Sequence, residues 1–279
     1  MAVRIVTDST SDFPAQLAHD LNVAVVPLSV AFGNDVYKEG VEITHDLFYD
    51  KLVRSKVMPT TSAPSVGDFL ATYESLLKES DEIVSIHISS KLSATYNNAV
   101  QAAQQLADRG ARIEVVDSQS VSFGLTFMAA AAARASMNGA GLDEIRAMLE
   151  GMIPRIRIII ALDTLEYVRR GGRIGRARAF LGTMLRVKPL LSIRDGEVHP
   201  EERVRTKALA VERIFQIVTS YRVQEAAIGY STNAQEAEQL RQRLASALPG
   251  VTTYVQRLGP VLGVHGGPGV LGVGVLEGE

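Results

Sequence analysis

The sequence predicts an α/β protein in two domains: an N-terminal, mostly parallel sheet flanked by helices, then a C-terminal α/β domain with a mixed sheet. Three observations predict it. Short runs of valine and isoleucine alternate with helical stretches over the first two-thirds of the chain, as in βαβ units. Those runs are continuously apolar, the pattern of strands covered on both faces. The texture then changes after Arg155, which puts a boundary near residue 153 and gives domains 1–152 and 153–279.

Taken in order, strands are expected at residues 3–7, 23–28, 83–88 and 113–116. Between them, Asp12 reads as an N-cap with Pro14 just inside its helix. Thr44 caps a helix running through Arg54, and Ser65-Val-Gly-Asp68 resembles a capping box, opening a helix through Lys78. Residues 92–107 and 123–137 are alanine-rich and read as helices by propensity. In the second part, 156–162 is a strand and 165–170 a short helix stopped by Gly171-Gly172. A strand through 190–193, a turn at Asp195-Gly196, helices near 206–221 and 234–247, and strands at 252–256 and 270–276 complete the chain.

Composition narrows the function. A hydrophobic content of 46% with 22% charged residues suits a folded domain, and 279 residues are enough for a sizeable core. A formal net charge of -2 sets up no global field for nucleic acid or an anionic membrane. The absence of cysteine excludes disulfides, thiol nucleophiles and thiolate metal sites. The five histidines are scattered, so no metal is expected. The first residues read as a strand, not a signal peptide, and no stretch approaches a bilayer-spanning length of about 20 apolar residues. A soluble, cytoplasmic protein is the expectation.

Ligands of parallel sheets bind outside the carboxyl ends of the strands. That rule points to the loops after Thr7, Ile88 and Val116, which are rich in hydroxyls: Thr7-Asp-Ser-Thr-Ser-Asp12, Ser89-Ser-Lys-Leu-Ser-Ala-Thr-Tyr96 and Asp117-Ser-Gln-Ser120. Pro59-Thr-Thr-Ser-Ala-Pro-Ser65 is a fourth such cluster. Any one of these is ordinary turn and capping chemistry. Four together, with Ser89–Ser93 running from a strand into a helix, suit an anion held by hydroxyls and a helix N-terminus.

His265 stands in a glycine-rich segment read as a loop, Val264-His-Gly-Gly-Pro-Gly-Val-Leu-Gly272. Its G-x-G-x-x-G match precedes a strand instead of opening a helix, so it is not a dinucleotide motif. Residues 169–178 carry five arginines, either as a solvated basic turn or as a patch for phosphate or an acidic partner. No nucleophile elbow, phosphate loop or zinc helix is present.

Thr7–Asp12, Thr61-Ser-Ala-Pro64, Ser89–Tyr96, Val116-Asp-Ser118, Gly171-Gly-Arg-Ile174 and His265-Gly-Gly-Pro-Gly269, in this order nearly end to end, resemble the DegV family. The likeness is greatest to the fatty-acid-binding B subunits of bacterial fatty-acid kinase. The resemblance implies a DegV-like two-domain fold with a long-chain fatty acid buried between the domains. It also implies a carboxylate held by Thr61, Ser93 and His265, and a separate ATP-dependent kinase that makes the acyl phosphate. Arg173 and Arg205 fall where the family places basic residues that meet the kinase, and Arg173 is expected to stay clear of the ligand. No cofactor or metal is implied beyond the bound fatty acid, and no nucleic acid or stable membrane insertion. Two departures stand out: Ala94 replaces the usual glycine after the motif serine, and Glu39 replaces a common aspartate. Two rival functions remain: an acyl hydrolase with Ser93 as nucleophile and His265 as base, and a regulatory module whose lipid is structural.

Overall fold

A computed structural model of the chain describes residues 2–107, 110–181 and 187–278. The first strand, β1 (Arg4–Asp8), runs through a 3-10 turn at Ser9–Ser11 into α1 (Ala15–Asp20) and β2 (Val23–Val26). A hairpin of β3 (Ser29–Phe32) and β4 (Asp35–Lys38) leads to α2 (His45–Arg54) and β5 (Thr60–Ser62). There follow α3 (Val66–Leu76), β6 (Glu82–His87), α4 (Thr95–Ala107), β7 (Arg112–Asp117), α5 (Phe123–Met137) and α6 (Leu142–Met152). The remaining elements are β8 (Ile156–Ala161), α7 (Glu166–Arg170), β9 (Lys188–Arg194), β10 (Glu197–Val204), α8 (Lys207–Thr219) and β11 (Val223–Tyr230). Last come α9 (Ala234–Ala247), β12 (Thr252–Arg257), α10 (Pro260–Gly266) and β13 (Leu271–Glu277).

Three sheets result. The order β2-β1-β6-β7 is parallel throughout, as the apolar runs required. The order β10-β9-β8-β13-β11-β12 is mixed: only β11 and β12 run parallel. A third, small antiparallel sheet, β4-β3-β5, has no counterpart in the sequence reading.

The layers explain the composition of the helices. On one face of the parallel sheet, α3 and α4 bury Phe69, Tyr73 and Leu106. Against the outer face of the mixed sheet, α8 and α9 bury Ile214, Leu240 and Leu244. Between the two sheets lies α5, touching β1 and β6 on one side and β8 and β13 on the other. A helix in that position keeps little wet face, which is why residues 123–133 are almost wholly buried, while its last turn reaches solvent at Arg134 and Met137. The small sheet packs its Val30 with Phe48 of α2 and Val264 of α10.

Local signals account for most of the starts. Ser65 Oγ accepts from Asp68 N at 3.1 Å while Asp68 Oδ2 accepts from Ser65 N at 2.9 Å, a full capping box. Thr44 Oγ1 accepts from Leu47 N, capping α2. Asp12, by contrast, does not cap α1. Pro14 takes the N-cap place, and Asp12 is buried at φ 50°, closing the 3-10 turn that precedes it. A short polar residue tolerates that left-handed conformation, and its carboxylate turns inward.

The glycine-rich segment is also not simply a loop. Its first part folds as α10, with Pro260 preset for the first turn and Val261 and Val264 buried on α2. Gly263 lets this helix lie directly against the Phe48 ring, which a side chain would overlap.

Candidate functional site

The mixed sheet creates the site. Along β13, Leu271, Val273 and Val275 point to the α8–α9 side, so Gly272 and Gly274 face inward. In register, Leu191, Ile160, Gly272 and Gly229 stand side by side across β9, β8, β13 and β11, and all four line one cavity. One row on, Val198, Ile193 and Ile158 line it too, while Gly274 is covered by Phe123 at the start of α5. A methyl built on Gly229 would lie 2.8 Å from Phe123 Cε2. Phe123 thus packs onto both Gly274 and Gly229, and Gly272 is left open to the cavity. The cavity holds about 140 Å³ of free space and has a mainly aliphatic wall.

One end of this cavity is polar. Thr61, on the small sheet's β5, and His265, in the last turn of α10, both line it. His265 Nε2 lies 3.0 Å from Thr61 Oγ1 across 204 residues of sequence. Burial, and then the charge of Arg173, push the His265 imidazole down to about 4, so it is neutral at pH 7. Among the described residues its buried Nδ1 has no hydrogen-bond partner. Partners assign the tautomer: a buried N–H lacking an acceptor costs more than a bare lone pair, so the proton sits on Nε2 and is donated to Thr61. The Thr61 hydroxyl proton is then free to point into the cavity.

Ser93 lines the same cavity just ahead of α4. Its Oγ accepts from Thr95 N at 3.3 Å and lies 2.8 Å from Thr95 Oγ1. Arg173 lines the cavity as well, which differs from the expectation that it stays clear. The reason is local. Gly172 at φ 73° ends α7, and Arg173 turns back, donating from Nε to Leu92 O at 3.0 Å and from Nη1 to Gly171 O at 2.8 Å. Gly171 is a close approach: a side chain there would overlap His265 Nδ1. Arg205 is not part of this group; it is exposed between β10 and α8, outside the cavity.

Ser93 and His265 are not hydrogen-bonded to each other, since His265 Nε2 engages Thr61 and the Ser93 hydroxyl engages Thr95. An Asp–His–Ser chain does exist elsewhere. Asp8 Oδ2 meets His87 Nδ1 at 3.0 Å, and His87 Nε2 meets Ser85 Oγ at 2.7 Å. All three residues are at 0% exposure, with Tyr73 donating to Ser85 Oγ and the Phe69 ring edge-on to His87. That chain holds α3 to the parallel sheet and reaches no substrate.

Sequence reasoning missed four cavity-side residues. Thr10 and Ser122 line the cavity with their hydroxyls already engaged, to Asp8 and Asp12 respectively. Asp12 and Glu39 stand behind it, buried. The hydroxyl-rich loops were visible, but pairings 110 to 247 residues apart were not.

Comparison with known proteins agrees with this architecture. The profile of the family described as "Uncharacterised protein, DegV family" matches residues 2–278. Protein DegV of Bacillus subtilis is 34% identical over 280 residues, covering 98% of each chain. A fatty-acid-binding DegV family protein from Thermus thermophilus superposes with a TM-score of 0.93 at 38% identity, covering 99% of this chain and all of the other. A stearic-acid-binding protein from Eubacterium ventriosum gives a TM-score of 0.92 at 27% identity, covering 99% and 98%. With a family match over nearly its whole length and relatives above 30% identity, the chain belongs to the DegV family.

Proposed function

We propose that the protein binds a long-chain fatty acid in this cavity and presents the carboxylate to a separate kinase for acyl phosphate formation. The observation that carries the reading is an aliphatic cavity ending at the Thr61–His265 pair, on a fold whose structural neighbours bind fatty acids. Residues 1–152 and 153–279 would act as two domains with the lipid between them.

Energetics support a carrier. Burying an acyl chain gives about 0.8 kcal/mol per methylene, hence on the order of 10 kcal/mol before ordering costs. The carboxylate must keep its charge satisfied away from water. Thr61 and Ser93 supply hydroxyls, and the neutral His265 fixes the Thr61 hydroxyl with its oxygen already occupied. These donors are neutral, and the positive charge at the cavity wall comes from Arg173. Arg173 at the cavity wall and Arg205 outside it are proposed to meet the kinase; both are exposed. The hydrolase reading has less support, because Ser93 lacks a base.

Native mass spectrometry with lipid extraction tests the core of this. Protein purified from bacterial cells should carry about one equivalent of long-chain fatty acid. A clean apo mass, with no thermal shift on adding any fatty acid, refutes it.

A further inference from the structure

Two buried carboxylates stand behind the head-group end. Asp12 Oδ1 accepts from Gly259 N at 2.7 Å, and its Oδ2 accepts from Ser122 Oγ at 2.7 Å. Glu39 Oε1 accepts from Val261 N at 2.8 Å. Gly259 is the N-cap of α10, and Pro260 has no N–H. The two carboxylates therefore take the backbone donors on either side of that proline. They also crowd one another: a methyl built on Gly259 would lie 2.5 Å from Glu39 Oε1 and 3.0 Å from Asp12 Oδ1. Glu39 is 6% exposed, and among the described residues its buried Oε2 has no hydrogen-bond partner.

What they hold is the helix that carries His265, four residues beyond Val261. Leu258, Val261 and Leu262 of the same segment form cavity wall. Ser122, the third group on the pair, is itself a non-glycine residue at φ 54°, ψ −123°, a sparsely populated conformation that surrounding bonds must enforce. We propose that Asp12 and Glu39 are positioning residues, a pair of buried carboxylates that seats the first turn of α10 and so fixes His265 against Thr61 for the fatty-acid head group. This rests on the lipid-binding reading above.

The chemistry of the pair follows from its setting. Two carboxylates this close and this buried cannot both ionise cheaply. Burial pushes Asp12 up to about 7, the Ser122 hydroxyl and Gly259 amide pulling the other way. Burial likewise pushes Glu39 up to about 8, against the Ser9 hydroxyl and the Val261 amide. The other titratable groups facing them are Asp8 on β1 and Tyr49 on α2; beyond Tyr49 stand Tyr230 on β11 and Arg257 on β12, whose guanidinium stacks on Tyr49 and pairs with Asp46. Burial keeps the Tyr49 hydroxyl protonated throughout, donated to Leu258 O at 3.1 Å. His265 is already neutral above pH 6. As pH rises through 7 to 8 the pair passes from neutral to doubly negative, which disturbs the α10 seat and repels the ligand carboxylate.

Two measurements test this: fatty-acid affinity between pH 6.5 and 9, and the ring nitrogen resonances of His265 in ¹⁵N-histidine-labelled protein, for wild type, Glu39→Gln and Asp12→Asn. In wild type, oleate affinity should fall about tenfold across this range, and the His265 resonances should shift with the same midpoint although the ring itself does not titrate there. Either amide variant should flatten both curves. Superimposable affinity profiles in wild type and variants, or wild-type His265 resonances that ignore pH between 7 and 9, overturn the proposal even if neither variant folds. If wild type binds no fatty acid at any pH, the lipid reading falls, and the His265 resonances still decide whether the pair controls the helix.

Discussion

Gly229 and Gly272 face each other in the register of β11 and β13, and both open onto the cavity. Neither is needed for a turn, and no positive φ is recorded at either. Phe123 and Leu258 pack onto Gly229, while at Gly272 the missing side chain leaves room on the sheet for a ligand. At Gly272 a methyl would sit 3.3 Å from Ile159 O and 3.6 Å from Ile160 Cγ1, so a side chain is admitted by the backbone but extends into the cavity. Gly272→Val should therefore fold and bind, with its preferred acyl chain shortened by about two to three methylenes. At about 0.8 kcal/mol per methylene, a C18 acid should lose tenfold or more relative to C14. Competition binding across chain lengths measures this, and an unchanged preference places the chain elsewhere.

The second prediction concerns hydroxyls. Thr61→Ala and Ser93→Ala each remove one charge-assisted donor, worth about 1.5–3 kcal/mol, so each should weaken fatty-acid binding at least tenfold. Ser93→Ala also strips the acceptor of Thr95 N, costing about 1 kcal/mol of stability. Calorimetric melting beside ligand titration separates the two effects. Wild-type affinity in both variants would put the head group somewhere else.

How much of this was legible beforehand depends on the range of the interaction. Residues 123–137 and 234–247 were read to the residue as α5 and α9, and the Ser65 capping box was correct, because propensity and caps act within one turn. The parallel strands were legible because burial on both faces leaves a solid apolar run. The small sheet was not: Asp35–Lys38 and Thr60–Ser62 are short and polar, and owe their pairing to β3 between them. β10 and β11 also went unread, as did α10, whose glycines and proline imitate a loop. Thr61 and His265 were named through the family pattern, whereas Asp12 was misread because its partners are over a hundred residues away.

A third prediction uses the close approach at Gly171. Its φ of −70° suits any residue, but a side chain there would overlap His265 Nδ1. Gly171→Ala should push the ring off Thr61 and lower fatty-acid affinity about tenfold or more, at little cost in melting temperature. Gly172→Ala is the control: open space, but φ 73°, so it should lose about 1 kcal/mol of stability and keep its affinity. The reverse pattern would mean that the Gly-Gly pair serves only to stop α7.

The fourth concerns acid. An imidazole held near 4 in the folded protein but near 6.5 when unfolded means that the unfolded chain binds the extra proton first. Stability from the neutral ring is present above pH 6.5 and is lost as pH falls toward 4. Asp12 and Glu39, raised instead, work in the opposite sense: their contribution is fully present only below about pH 4 and is gone once pH has risen through 7 and 8. His265→Gln should therefore remove part of the acid limb and leave the alkaline limb intact. Urea unfolding at pH 4.5, 6 and 8.5 decides it, and identical acid limbs would show that His265 is not the group responsible.

The last prediction concerns Arg173, whose position asks for a sharper test than its sequence did. It ties Leu92, beside Ser93, to the end of α7, lines the cavity, and contributes to keeping His265 neutral. Arg173→Ala should loosen the Leu92 side of the head-group site, so fatty-acid affinity should fall about threefold, less than for loss of Thr61 or Ser93. The His265 midpoint should rise toward its ordinary value, since the guanidinium charge opposes a second cation. If Arg173 also docks a kinase, acyl phosphate formation with the cognate kinase and ATP should fall well beyond threefold at saturating fatty acid, and recover as carrier concentration rises. Arg205, outside the cavity, provides the separation: Arg205→Ala should leave fatty-acid affinity and the His265 midpoint untouched and lower only the kinase reaction. If turnover at saturating lipid is normal in both variants, the arginines have no docking role, and Arg173 is a strap across the cavity mouth.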